Sequence, residues 1–207
     1  FTEFGSGFRI AMRDLELRGA GNLLGPQQSG HLANIGYDLY CKLLEEAVLE
    51  AQGEAPKLNR DIETRMDVHV NAYLPGEYVT GDKQRLEVYK RIASITTAAQ
   101  RDDVEEELVD RFGDEPLCVA NLVAVAYLKA MCSKLGIDRV AQMDGRIDMR
   151  FAPNAQVDGQ KLFKALTGFD KRLTLNAATP VTLTLKDPTL NREDLLMLCV
   201  KVMERLL

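Results

Sequence analysis

Between positions 19 and 36 the chain carries Gly19, Gly21, Gly25, Gly30 and Gly36 together with Pro26. Glycine at that density loses too much backbone entropy on ordering to sustain a helix or a strand. The fold must therefore accommodate one long shaped loop, with regular structure on either side of it. Before the loop, Phe8, Ala11, Met12 and Leu15 recur at i, i+3, i+4 and i+7, the spacing of one helical face, with Ser6 placed to cap it and Arg18-Gly19 to end it. After the loop, Leu39, Leu43, Ala47, Val48 and Ala51 form the apolar stripe of a helix over 37–52, and Gly53 sits where a C-terminal cap belongs. The polar stretch GEAPKLNRD that begins at Gly53 is the best boundary, dividing the chain into 1–53 and 54–207.

Beyond that boundary the period changes. Met66, Val68, Val70 and Ala72 alternate with Arg65, Asp67, His69 and Asn71, the pattern of a half-buried strand stopped by Pro75-Gly76. Helical spacing then predicts three helices over 82–99, 101–112 and 115–135. Asp144-Gly145 is a two-residue turn signal between 139–143 and 146–151, which predicts a hairpin. A helix near 158–168, strands near 172–177 and 181–186, and a final helix through Leu195, Leu198, Val202 and Leu206 complete the reading. The expected class of this segment is α+β, with helices packed on a small, mainly antiparallel sheet.

Charge and composition narrow the chemistry. The net charge is −5, from 26 basic and 31 acidic side chains. Autonomous duplex binders carry a basic excess, because phosphate neutralisation supplies most of their affinity. In residues 1–40 only Arg9, Arg13 and Arg18 are basic, against Glu3, Asp14, Glu16 and Asp38, so any DNA contact there must be shared with another part of a larger protein. Cys41, Cys118, Cys132 and Cys199 are too far apart in sequence for a metal or redox motif and read as reduced packing residues. His31 and His69 have no neighbouring ligands, so no metal site is expected. No apolar run approaches the roughly 20 residues of a membrane span. The start at Phe1, without an initiator Met or a leader, reads as a segment of a longer cytoplasmic protein.

Three motifs merit weighing. The glycines of 18–25 superficially resemble a dinucleotide fingerprint, but the third comes one position late, no strand leads in and no helix follows, so a phosphate would lack a helix N-terminus. No phosphate-binding loop occurs, and Gly113-Asp114-Glu115 lacks the preceding strand of a magnesium-carboxylate motif. The string RDLELRGAGNLLGPQQSG at 13–30 supports two readings: a connector between helices, or a loop that threads over another surface with Arg18 and Gln28 as its long polar reaches. Over 101–112, Val104, Leu108 and Phe112 share an arc with Val109 at its edge, while Asp103, Glu106, Glu107 and Asp110 cover the other side. That face is either simply solvated or shaped to meet a basic surface, and like charges at i, i+3 and i+4 repel in the meantime.

Residues 13–30 resemble the translocation motif shared by the RecG branch-migrating helicases and the bacterial transcription-repair coupling factors (Mfd). The family pattern falls on Asp14, Leu15, Glu16, Arg18, Gly19, Gly21, Gly25, Gln28, Ser29 and Gly30. Pro26-Gln27 departs from it, standing where charged residues are common, and is expected to change the stiffness of the loop but not its role. RecG chains end soon after this motif, whereas this one continues. Its strings RLEVYKRIA at 85–93 and ELVDRFG at 107–113 resemble the C-terminal domain of the coupling factors, a resemblance that fades after about residue 150.

The resemblance implies that 1–53 is a helical and loop extension of a RecA-like motor domain and 54–207 a regulatory, autoinhibitory α+β domain. The parent would be an ATP-dependent double-stranded DNA translocase that removes stalled RNA polymerase and recruits nucleotide-excision repair. Its ATP and magnesium would bind elsewhere, leaving this chain with no catalytic residue or cofactor of its own. Arg18 and Gln28 would couple hydrolysis to translocation, while Glu107 and Asp110 would clamp the N-terminal module that recruits the repair ATPase UvrA. The implied partners are the rest of the motor and that module, and indirectly duplex DNA, RNA polymerase and UvrA, with no membrane. The alternative is a free-standing protein-interaction or adaptor domain whose glycine-rich stretch is a linker.

Overall fold

The structure is a computed structural model that describes residues 62–153, 155 and 159–207. The motif residues Arg18, Gly19, Gly21, Gly25, Gln28, Ser29 and Gly30 lie outside the described residues, as does Cys41.

Strand β1 (Arg65–Asp67) leads into three helices, α1 (Asp82–Ala93), α2 (Ala98–Phe112) and α3 (Leu117–Lys134). A hairpin of β2 (Ile137–Met143) and β3 (Arg146–Phe151) follows. Helix α4 (Gly159–Gly168), a 3-10 turn (Asp170–Arg172), β4 (Leu173–Asn176), β5 (Thr182–Lys186) and α5 (Arg192–Leu206) complete the domain. The five strands form one sheet in the order β1-β2-β3-β5-β4, parallel between β1 and β2 and antiparallel elsewhere. The class is α+β, as the residue pattern predicts.

The alternation along the strands sorts the two faces of the sheet. Met66, Val140, Ile147, Met149, Leu183 and Leu185 are buried on one face. Helix α3 packs against β2 and against α5, and α5 also packs on β3. Helix α3 is apolar nearly all round because it is the central helix: α1, α2 and α5 all touch it. Its 18 residues are long and apolar enough to cross a bilayer by length and composition alone, yet 61% of that stretch is buried inside the protein. Asn121 is fully buried on it and donates from Nδ2 to the Asn71 carbonyl at 3.0 Å, tying α3 to the segment after β1. Cys132 and Cys199 are fully buried in the same core, with Cys199 Sγ 3.6 Å from Met149 Sδ. Burial pushes the thiol of Cys199 up to about 12 and that of Cys132 well above its ordinary value.

Two boundaries differ from the pattern-based expectation. The first helix stops at Ala93 and not at 99, because Thr97 turns extended and caps α2, its side chain accepting from the Gln100 N–H at 3.3 Å. The first strand pairs only over Arg65–Asp67, although burial continues to alternate through Val70. The side chain of Gln142 ends the ladder: its Oε1 accepts from the His69 N–H at 2.8 Å and its Nε2 donates to the Arg192 carbonyl at 2.7 Å. A glutamine thus substitutes for backbone pairing within an apolar face, with both ends of its amide satisfied.

Candidate partner-binding surface

Helix α2 presents its acidic face from a rigid mount. Val104 and Leu108 are 1% and 2% exposed and anchor the helix to the core. Near its start, Arg101 reaches Glu204 of α5 at 2.8 Å and lies 5.0 Å over the Tyr127 ring of α3. At its end, Gly113 adopts φ +84°, a backbone region open mainly to glycine, and its N–H closes on the Val109 carbonyl at 2.9 Å. The Tyr78 hydroxyl hydrogen-bonds to the carbonyls of Leu108 and Gly113 at 3.2 and 3.3 Å, and the Tyr78 ring packs on Phe112 with centroids 5.7 Å apart. The last turn of α2 is therefore gripped from outside the helix.

The two acidic residues singled out from the sequence, Glu107 and Asp110, differ sharply in environment. Glu107 sits between two cations, with Arg91 Nε of α1 at 3.3 Å and Arg111 of its own helix hydrogen-bonded to the other oxygen. The hydrogen bond from Arg111, reinforced by that from Arg91, holds the Glu107 carboxyl below its usual range. Asp110 is exposed and makes no ion pair among the described residues. It continues an exposed stripe through Asp103 and Glu106, which likewise form no ion pair among them. Asp110 also stands in the final turn of α2, where the helix dipole favours a cation and disfavours a carboxylate. Nothing about the stability of α2 calls for an acid there.

Arg91, Tyr78 and the loop acid Glu115 also belong to this region, and their roles in it are not signalled by the chain taken alone. The pairing of Glu107 with Arg111 was legible as an i, i+4 spacing, whereas Arg91 reaches Glu107 only once α1 and α2 pack. Glu115 is half-buried, and one of its oxygens has no hydrogen-bond partner. Desolvation, with a smaller push from Glu105, raises its carboxyl to about 7. Among the described residues no group of His, Cys, Asp or Glu could hold a metal ion.

Comparison with known proteins places this geometry in a family. The family described as TRCF domain matches residues 68–162, which span the helices α1 to α3 and the β2–β3 hairpin. The transcription-repair-coupling factor of Staphylococcus aureus (strain USA300) is 38% identical over 206 residues, covering 97% of this chain. The Staphylococcus epidermidis (strain ATCC 35984) protein of the same description is 37% identical over the same length. The chain spans only 18% of the length of these curated relatives. A solved crystal structure of the C-terminal domain of transcription-repair coupling factor superposes with a TM-score of 0.63 at 26% identity, covering 70% of this chain and 91% of that one. Sequence kinship along nearly the whole chain and a shared α+β domain lead to one conclusion: the chain belongs to the transcription-repair coupling factor family and contains its C-terminal domain.

Proposed function

We propose that this chain is the C-terminal part of an ATP-dependent double-stranded DNA translocase, cytoplasmic like the motor it completes, which removes stalled RNA polymerase and recruits nucleotide-excision repair. In that reading residues 1–53 couple ATP hydrolysis to movement along DNA through Arg18 and Gln28, with Gly19, Gly21, Gly25, Ser29 and Gly30 giving the loop its path. Residues 54–207 act as a brake that restrains repair-factor recruitment and motor activity. ATP and magnesium belong to other parts of the translocase, and this chain supplies positioning and restraint.

The observation that carries the braking role is the placement of Asp110. It is an exposed carboxylate without an ion-pair partner among the described residues, on a helix held rigid at both ends, in a turn where its charge opposes the helix dipole. A fixed acidic stripe of this kind fits a basic surface of defined register, and complementary charge excludes wrong partners more than it adds affinity. The partner proposed is the N-terminal, UvrA-recruiting module of the same protein. Charge reversal at Glu107 and Asp110 in the full-length protein is expected to increase UvrA retained in a pull-down. Unchanged retention would remove these two residues from the mechanism.

A further inference from the structure

The face of the sheet opposite the core carries an unusual charge order. On β1, β2 and β3 the register aligns Arg65 with Arg139 and Arg139 with Arg150, a row of three arginines directly opposite one another. On β3 and β5 it aligns Arg146 with Lys186. Like charges directly opposite across a ladder are destabilising, so this face is not arranged for stability alone.

Aspartates offset part of the repulsion. Asp67 holds Arg139 at 2.8 Å and Arg65 at 3.4 Å. Asp138, which the register shift between Ile137 and Arg139 leaves outside the ladder, holds Arg150 through two hydrogen bonds of 2.8 and 3.0 Å. Asp148 holds Arg146 and accepts from the Thr184 hydroxyl at 2.7 Å. Within the paired strands this leaves a surplus of positive charge, on a chain whose net charge is −5. Arg139 and Arg150 each spend Nε and Nη2 on their aspartate and keep the other terminal nitrogen. The Nε of Arg146 is buried and has no partner.

We propose that this face is a sequence-independent docking surface for the phosphate backbone of duplex DNA, built from residues other than those of the acidic face of α2 and of the motif at 13–30. Its composition selects that occupant. A protein partner needs apolar or aromatic anchors at the centre of its interface, and between the two cationic rows this face supplies only Ala141, the exposed Met143 standing at the hairpin end opposite Arg146. Single-stranded nucleic acid needs aromatic platforms for stacking, and this face has none among the described residues. Phosphate oxygens need only guanidinium and ammonium donors, here supplied by the two cationic rows, since the Thr182 and Thr184 hydroxyls already donate to the Pro180 carbonyl and to Asp148. Arg146 and Arg150 lie four residues apart on β3, which sets the two rows about 13 Å apart at roughly 3.3 Å per residue. That is close to the roughly 12 Å width of a B-DNA major groove, so each row meets one of its phosphate edges.

The test is fluorescence anisotropy of a labelled random-sequence duplex titrated with the 207-residue chain at increasing salt. Weak binding at low salt is expected, with a log–log salt slope that falls by about 2 in the double variant Arg139→Gln and Arg150→Gln, one for each guanidinium withdrawn from a phosphate. Asp148→Asn removes a negative charge from the same face and is expected to tighten binding severalfold, an outcome that misfolding cannot imitate. Circular dichroism monitors the fold, and if the double variant does not fold, Asp148→Asn alone decides. The proposal is overturned if the parent chain leaves anisotropy unchanged at low salt, if the folded double variant keeps the parent slope, or if Asp148→Asn weakens binding. It is likewise overturned if polyglutamate, and not the duplex, loses affinity in the double variant, since the occupant would then be an acidic protein segment.

Discussion

Arg91 of α1 and Glu107 of α2 meet Nε to Oε2 at 3.3 Å, and this contact links two helices across the edge of the acidic surface. Both side chains are substantially exposed, 47% and 36%, so solvent screens the pair. Its value to the fold is therefore small, whereas its effect on the charge of the surface is not: Arg91 is one of the two cations that mask Glu107.

Arg91→Ala is accordingly expected to lower stability by no more than about 1 kcal/mol in urea unfolding, the usual range for exposed pairs. In the full-length protein the same change leaves Glu107 less neutralised, so under the proposed clamp on the UvrA-recruiting module less UvrA is expected in a pull-down. This is the direction opposite to charge reversal at Glu107. Because Arg111 holds the Glu107 carboxyl below its usual range with help from Arg91, the stability that this bridge contributes is present above the unfolded carboxyl pKa and fades as pH falls through the lower folded value. A drop in stability well above about 2 kcal/mol would mark Arg91 as a structural post.

Glu115 behaves in the opposite sense. Its folded carboxyl is raised to about 7 by desolvation, with Glu105 adding to the shift, so between the ordinary carboxyl pKa and pH 7 the folded state binds more protons than the unfolded one. Stability must then fall as pH rises through that window, and level off above it. Glu115→Gln removes the ionisation and is expected to flatten this slope and to raise the urea midpoint at pH 8 above that of the parent. Superimposable profiles of midpoint against pH for the two proteins would show that the carboxyl ionises without cost.

What could be read in the chain before folding was local. The wheel of α2 separated Val104 and Leu108 from Asp103, Glu106 and Asp110, and burial follows that division. Asp144-Gly145 announced the hairpin, and apart from the early ends of β1 and α1 each element beyond residue 62 appears within a few positions of its pattern. What escaped depends on long-range partners. The parallel pairing of Arg65 with Arg139 needs three intervening helices to return the chain. The early end of β1 depends on Gln142, whose polarity gives no hint that its amide captures a backbone N–H 73 positions away. The masking of Glu107 by Arg91, and the alignment of like charges on the sheet, exist only through register and packing. Net charge, an average over the chain, conceals an acidic helix face and a basic sheet face on one domain.

The turn at Gly145 joins local and distant demands, and it offers the most direct test of the fold. Gly145 adopts φ +66°, and a Cβ placed there would stand 2.8 Å from Pro188 Cα, a backbone atom that cannot rotate away. The approach is held from both sides, because the Asp187 N–H donates to the Gly145 carbonyl at 2.9 Å and Arg192 hydrogen-bonds to Asp144 through two nitrogens at 3.0 and 2.8 Å. Gly145→Ala thus meets both a strained backbone and a clash, either of which is worth on the order of 1 kcal/mol or more. A drop of about 1–3 kcal/mol in urea unfolding is expected. Arg192→Ala, which loosens the same clasp from an exposed position, should cost less than about 1 kcal/mol. If Gly145→Ala proved neutral, the β2–β3 turn would not be seated against Pro188, and the register that aligns Arg146 with Lys186 would lose its anchor at that end of the sheet.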